Sequence, residues 1–97
     1  QIVSDYPHDS ASGLAAFTIG RIRLHDLKQY NAAADGFSLA IRLGLPAGLR
    51  EQAYAKQVEA LSHTDDSRRL RAAADSYNQH YPKGIWKEWV ERWSKSR

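Results

Sequence analysis

The residues best suited to proton transfer or metal binding are four histidines, His8, His25, His63 and His80, and their spacing points to neither. A zinc site on one helix needs a histidine pair at i and i+4 with a carboxylate nearby; these four fall singly, in turns or near helix ends. His80 is better placed to meet the terminal carbonyls of a helix. Cysteine is absent, which removes thiol nucleophiles, disulfides and thiolate metal sites together. Nor does the chain contain a Gly-x-Ser-x-Gly turn to hold a serine strained and exposed. Asp65 and Asp66 are adjacent, so on a helix their side chains diverge by about 100° and cannot work as a paired acid and base. They suit a helix start, with Thr64 as the cap and Asp65 and Asp66 spaced to pair with Arg69 in the basic group Arg68, Arg69 and Arg71. These patterns call for no catalytic residue, metal or cofactor.

Trp86, Trp89 and Trp93 are the sharpest local feature. Spacings of three and four put the three indoles on one face of a helix with Val90 beside them. Such a helix can cover the open apolar edge of a helical stack, or it can leave indoles in water as interface anchors. Basic residues between the tryptophans also suit a membrane surface, against which stand Glu88, Glu91 and the short length.

The elements that must position these residues read as helices. Pro7 in Asp5-Tyr6-Pro7-His8-Asp9-Ser10 blocks helix continuation, and Asp9 or Ser10 can cap a helix beginning there. Leu14, Phe17, Ile19, Ile22, Leu24 and Leu27 then recur at helical spacing from Ala11 to about Leu27. Gly20 in mid-helix costs about 1 kcal/mol relative to Ala, which implies another helix approaching closely there. Across His25 to Gln29 the apolar phase shifts without Gly or Pro. A second helix, Gln29 to Leu43, carries Tyr30, Ala33, Phe37, Ala40 and Ile41; Gly44 ends it, and Pro46 suits the first turn of the next. Tyr54, Val58 and Leu61 mark a third helix over Ala47–Ser62. Leu70, Ala73, Ala74 and Tyr77 mark a fourth, about Asp65 to His80. Tyr81-Pro82-Lys83-Gly84 breaks it, and Ile85 to Ser94 forms a fifth.

Composition bounds what such a fold does. Ninety-seven residues suit one small domain, and 42% apolar with 26% charged residues is an ordinary globular balance. No apolar run approaches the roughly 20 residues of a membrane span, and Gln1 to Ser10 lacks the order of a signal peptide. The net charge of +3 is not spread along the chain. Residues 1–82 hold nine basic and nine acidic residues, so the excess lies in Lys83, Lys87, Arg92, Lys95 and Arg97, opposed by Glu88 and Glu91. A mildly basic tail on a neutral body is not a phosphate-binding face, and no nucleic acid is expected.

Two features repeat. The Tyr6-Pro7 junction recurs at Tyr81-Pro82, 75 residues on, and Ala32-Ala33-Ala34-Asp35-Gly36-Phe37 matches Ala72-Ala73-Ala74-Asp75-Ser76-Tyr77 at an offset of 40. With Ile19-Gly20 at the Leu-Gly pair and Tyr30, Ala33, Phe37 and Ala40 at core positions, the chain resembles the tetratricopeptide (TPR) repeat family. The likeness is to the divergent form of bacterial envelope proteins whose repeats end in Tyr-Pro-x-Gly. The second hairpin matches through Tyr54, Val58, Leu61, Ala73 and Tyr77. Each hairpin departs from the family's 34-residue repeat by a longer turn, and His80 stands where a small residue is usual. Ala16 to Ile22 and Phe37 to Leu45 look most like the repeats of FecR-like sigma regulators, with those of Tol–Pal-associated periplasmic proteins and outer-membrane assembly lipoproteins close behind.

The resemblance implies an all-α, right-handed stack of two TPR-like hairpins, residues 9–44 and 46–81, closed by a Trp-rich capping helix in residues 83–95. It implies a single domain over residues 1–97 that continues from an upstream segment. Because three repeats usually make a stable array, an upstream neighbour or self-association is expected to support it. The implied function is protein–protein scaffolding in the periplasm or cell envelope, or failing that the cytoplasm, with no cofactor. The first helix of each hairpin then lines a concave face. This nominates Phe17, Arg21 and His25 with Gln52, Lys56, Glu59 and His63 for a protein or peptide partner, and Trp86, Trp89 and Trp93 as a second interface. Two other functions stay open: a helical accessory domain of an enzyme, and a small helical nucleic-acid binder using the basic tail and the Arg68 to Arg71 cluster.

Overall fold

The computed structural model describes residues 10–95, which form five helices and no strand: α1 (Ser10–His25), α2 (Tyr30–Leu43), α3 (Ala47–Ser62), α4 (Ser67–His80) and α5 (Lys87–Ser94). The class is all-α, as expected, and the last helix carries the tryptophans Trp89 and Trp93, with Trp86 at its N-cap. The helix bounds depart from those predicted by two residues at most. Residues Tyr6 to Asp9, among them Asp9 as one of the two cap candidates, and Arg97 lie outside the described residues.

Each helix packs on the one before it, α1 on α2, α2 on α3 and α3 on α4, while α5 folds back across both α3 and α4. The turn that lacks Gly or Pro is made by Lys28, whose φ of 55° lies in the left-handed region at a cost on the order of 1 kcal/mol. In return, the N–H groups of Asp26 and Leu27 reach Ile22 O, and that of Gln29 reaches Arg23 O at 2.7 Å, satisfying carbonyls at the end of α1. Gly44 closes α2 with φ 109°, and its N–H donates to Ala40 O. Pro46 stands one position earlier than expected, at the N-cap of α3, with its carbonyl accepting from Arg50 N–H at 2.8 Å.

The start of α4 needs correction. Asp66, not Thr64, is its N-cap: the carboxylate accepts from Arg69 N–H at 3.0 Å. Thr64 instead donates to Leu61 O at the end of α3 and accepts from Asp66 N–H, tying the two helix ends together. The Arg69 guanidinium reaches across to α2, to Asp35 at 2.9 Å and Asn31 at 3.4 Å. Both members of this ion pair are well exposed, so it contributes at most about 1 kcal/mol and serves chiefly to register α4 on α2.

The core is built of small residues. Nine of the nineteen buried core residues are alanine, a composition that permits close packing of neighbouring helices. Phe37 and Tyr77, equivalent across the 40-residue offset, are the largest fully buried side chains. The close approach expected at Gly20 comes from α2: a Cβ there would lie 3.0 Å from the Phe37 ring, and one at Gly36 would lie 3.3 Å from Gly20 Cα. Further along the same crossing, Gly13 faces the backbone carbonyl of Gly44 with no room for a methyl group.

Glycine to alanine therefore has opposite signs at two helical sites. Gly13→Ala is expected to destabilise by about 1–3 kcal/mol through overpacking against backbone. Gly48→Ala, which meets nothing within 4 Å, is expected to stabilise by about 0.5 kcal/mol. Thermal unfolding monitored by circular dichroism separates the two.

Candidate functional site

The site begins with a buried junction. Tyr77 on α4 is fully buried and donates its hydroxyl proton to Glu51 Oε2 on α3 at 2.7 Å. The same phenol oxygen accepts from Trp86 N–H at 2.9 Å, and Glu51 Oε2 accepts from Ile85 N–H at 2.9 Å. Two consecutive backbone donors ahead of α5 are thus satisfied by one phenol–carboxylate pair. Gly84 lies against both groups, where any Cβ would collide with the Tyr77 hydroxyl and the Glu51 carboxylate. Burial, then the bond to Glu51, pushes the Tyr77 phenol well above its usual value; burial also raises Tyr81, partly opposed by Arg50.

That junction sets α5 on the stack. Eight residues are too few to hold a helix alone, so tertiary contacts must supply the stability. Val90 is fully buried, a gain of about 1.5–3 kcal/mol, and Trp86 and Trp93 lie half-buried with rings stacked at 6.5 Å. Trp89 is 48% exposed, with Arg92 over its ring at 5.0 Å. The three rings form a row through Trp93, which lies 6.5 Å from Trp86 and 5.8 Å from Trp89: Trp86 and Trp93 cover the stack beside Val90, and Trp89 is the more exposed outer member.

With Trp86 fixed, the face shared by α1 and α3 takes shape around Lys56. Its Nζ lies 3.0 Å from Glu59 Oε1, 3.4 Å from His25 Nε2 and 5.8 Å from the Trp86 ring centre. Lys56 and Glu59 keep only 13% and 18% of their side-chain surface, and pairing offsets the cost of that burial. Arg21, exposed one turn before His25, extends the strip along α1, and Gln52, one turn before Lys56, is half-buried.

Of the nominated residues, His25, Lys56 and Glu59 are brought into contact, and Trp86 joins them from the second group. Phe17 is corrected: at 3% exposure, with its ring edge-on to Phe37 at 5.6 Å, it belongs to the core rather than the face. His63 ends α3 stacked on Tyr30 at 4.4 Å, apart from the Lys56 group. His80 donates from Nδ1 to Ser76 O at 2.8 Å, in keeping with its expected carbonyl partner, and stacks on Tyr54. Glu51 carries no signal in the sequence, since a single acid on a helix is most often solvated. Its role requires knowing that Tyr77 and Gly84 fold against it.

No protein-family model, curated protein or solved structure matches the chain. The function must therefore be read from geometry. Among the described residues no group of three or more His, Asp or Glu is placed to hold a metal ion, and no helix is long and apolar enough to cross a membrane.

The junction makes stability sensitive to alkali. Below the usual phenol value of 10.0, folded and unfolded chains both carry the Tyr77 proton; above it the unfolded chain loses that proton first, so stability falls as pH rises. Tyr77→Phe is expected to cost about 1–3 kcal/mol near neutrality by leaving the Trp86 N–H without its partner, and to flatten the alkaline fall, Tyr81 retaining part of it. Urea unfolding at neutral and alkaline pH measures both effects.

Proposed function

We propose that this chain is a TPR-like scaffold that binds another protein or peptide and carries no catalytic chemistry of its own, within a bacterial envelope regulator or assembly factor. The observation that supports the binding role is the contact between α1 and α3 through His25 and Lys56, which brings together one residue from each of the two helices that would line such a face. That face offers a guanidinium at Arg21, an amide at Gln52, the Lys56–Glu59 pair and the Trp86 indole over which Lys56 lies. Groups of this kind, spread along a strip on rigid helices, suit recognition of an extended or helical segment whose charges fix its register. Arg21 is the point of attachment for a carboxylate of the partner, because its fork can bind both oxygens. The envelope setting rests on the resemblance of the repeats alone.

Peptide-display selection on the purified chain, with NMR shift mapping of a selected peptide, tests the reading. Shifts centred on Arg21, His25, Gln52 and Lys56, with affinity falling about tenfold or more in the Arg21→Gln, Lys56→Gln double variant, are expected. Unchanged affinity in that variant overturns the assignment of the face, and a selection that yields no binder overturns the scaffold reading.

A further inference from the structure

A cleft of about 430 Å³ is formed by one side of α4 and the last residue of α5, and it shares no residue with the α1–α3 face. Leu70 and Ala74, both buried, give it a small apolar part, and Arg71, Asp75, Asn78 and Ser94 supply polar groups. A cavity of this size falls in the range that holds small molecules, and a lining this polar calls for a polar one. One observation sets the cleft apart from an ordinary surface groove. Asn78 Oδ1 is buried with no hydrogen-bond partner among the described residues. Native structures keep few such oxygens, because each has lost its water and gained no donor in exchange.

The charges of the cleft are also unpaired. Arg71 and Asp75 stand one helical turn apart on α4, both exposed, and neither forms an ion pair among the described residues. Base ahead of acid is the weaker order for such a pair, and the neighbouring Arg69 is held instead by Asp35. Ser94 donates its hydroxyl proton to Glu91 O at 2.9 Å, which leaves its own oxygen to accept. The cleft therefore combines one forked cationic donor with three acceptors: the Asp75 carboxylate, Asn78 Oδ1 and Ser94 Oγ.

We propose that this cleft binds a free α-amino acid as its zwitterion. An ammonium group carries three N–H donors and no acceptor, which matches the three oxygens, and the guanidinium fork of Arg71 can take both oxygens of the carboxylate. Residues three and four apart on a helix have Cβ atoms about 5–6 Å apart, so Arg71, Asp75 and Asn78 are spaced to reach two groups borne on one carbon. One cation and one acid make the site neutral. A phosphate or a metal ion would leave one of them facing its own sign, whereas a ligand that carries both signs leaves neither unpaired. Its ammonium supplies the donor that the fold does not give Asn78, and its side chain lies along Leu70 and Ala74.

Titration of the whole isotope-labelled chain with each of the common amino acids, followed by NMR amide shifts, provides the test. At least one is expected to shift the amides from Leu70 to Asn78 and that of Ser94, and its N-acetyl and C-amide derivatives are each expected to bind about tenfold or more weaker. Arg71→Gln and Asp75→Asn are each expected to lose about tenfold in affinity with the helical circular dichroism unchanged, because both side chains are exposed. Asn78→Leu, apolar and of similar shape, is expected to weaken binding while leaving the thermal midpoint unchanged or higher. A lowered midpoint would show that the oxygen is bonded within the fold and overturns the proposal. So does the absence of shifts across the whole panel, or equal binding by the N-acetyl derivative, which would reduce the cleft to an anion contact at Arg71. Tighter binding of a dipeptide than of either of its amino acids also overturns it, in favour of a peptide ligand.

Discussion

A buried phenol must find partners for both its proton and its oxygen, and at Tyr77 those partners come from two other parts of the chain. Glu51 on α3 takes the proton, and the Trp86 N–H fills the lone pair. One hydroxyl thereby fixes the angle at which the last helix leaves α4 and the place where it lands on α3. An unmade bond at such a site costs the desolvation of the group left over, which explains why Gly84 has no side chain and why the turn around it is so fully bonded.

The surface around Lys56 inherits its geometry from that constraint. Trp86 reaches Lys56 because its backbone is bound to Tyr77, and Lys56 is in turn held by Glu59 on its own helix and by His25 from α1. Three segments far apart in sequence thus share one ammonium group. A face assembled this way is rigid where the helices support it, and rigid positioning of a few polar groups is what a recognition surface needs to bind without a large ordering cost.

Much of this architecture could be read in the residues. Gly44, Pro46 and the Tyr81-Pro82-Lys83-Gly84 break marked helix ends by backbone chemistry that does not depend on tertiary context, and Gly20 announced a close crossing for the same reason. The alanine-rich repeat located α2 and α4 and made Phe37 and Tyr77 equivalent. What escaped was set by packing between distant segments. Lys28 in the left-handed region has no sequence signal, because a lysine adopts it only when the helices on either side require it. Arg69 was spaced to pair with the acids Asp65 and Asp66 just ahead of its helix, and its guanidinium also reaches Asp35 and Asn31 on α2. Phe17 was read as a groove residue because a helical pattern gives faces but not which neighbour covers them. The Lys56 cluster was half legible: its α1 and α3 members came from the repeat, whereas Trp86 depended on the path of the final turn.

The many alanines at the helix contacts have a bearing on how this sequence can change over time. Ala33, Ala34, Ala40, Ala53, Ala55 and Ala60 expose no surface at all. A leucine core can drift through smaller and differently branched side chains, losing a little stability at each step. An alanine with a neighbouring helix against its methyl group can only become glycine, which loosens the helix, or something larger, which pushes two helices apart. Variation in such a chain is driven outward, to the exposed positions of α1, α3 and α5, so the interior holds still while the surface remains free to diverge.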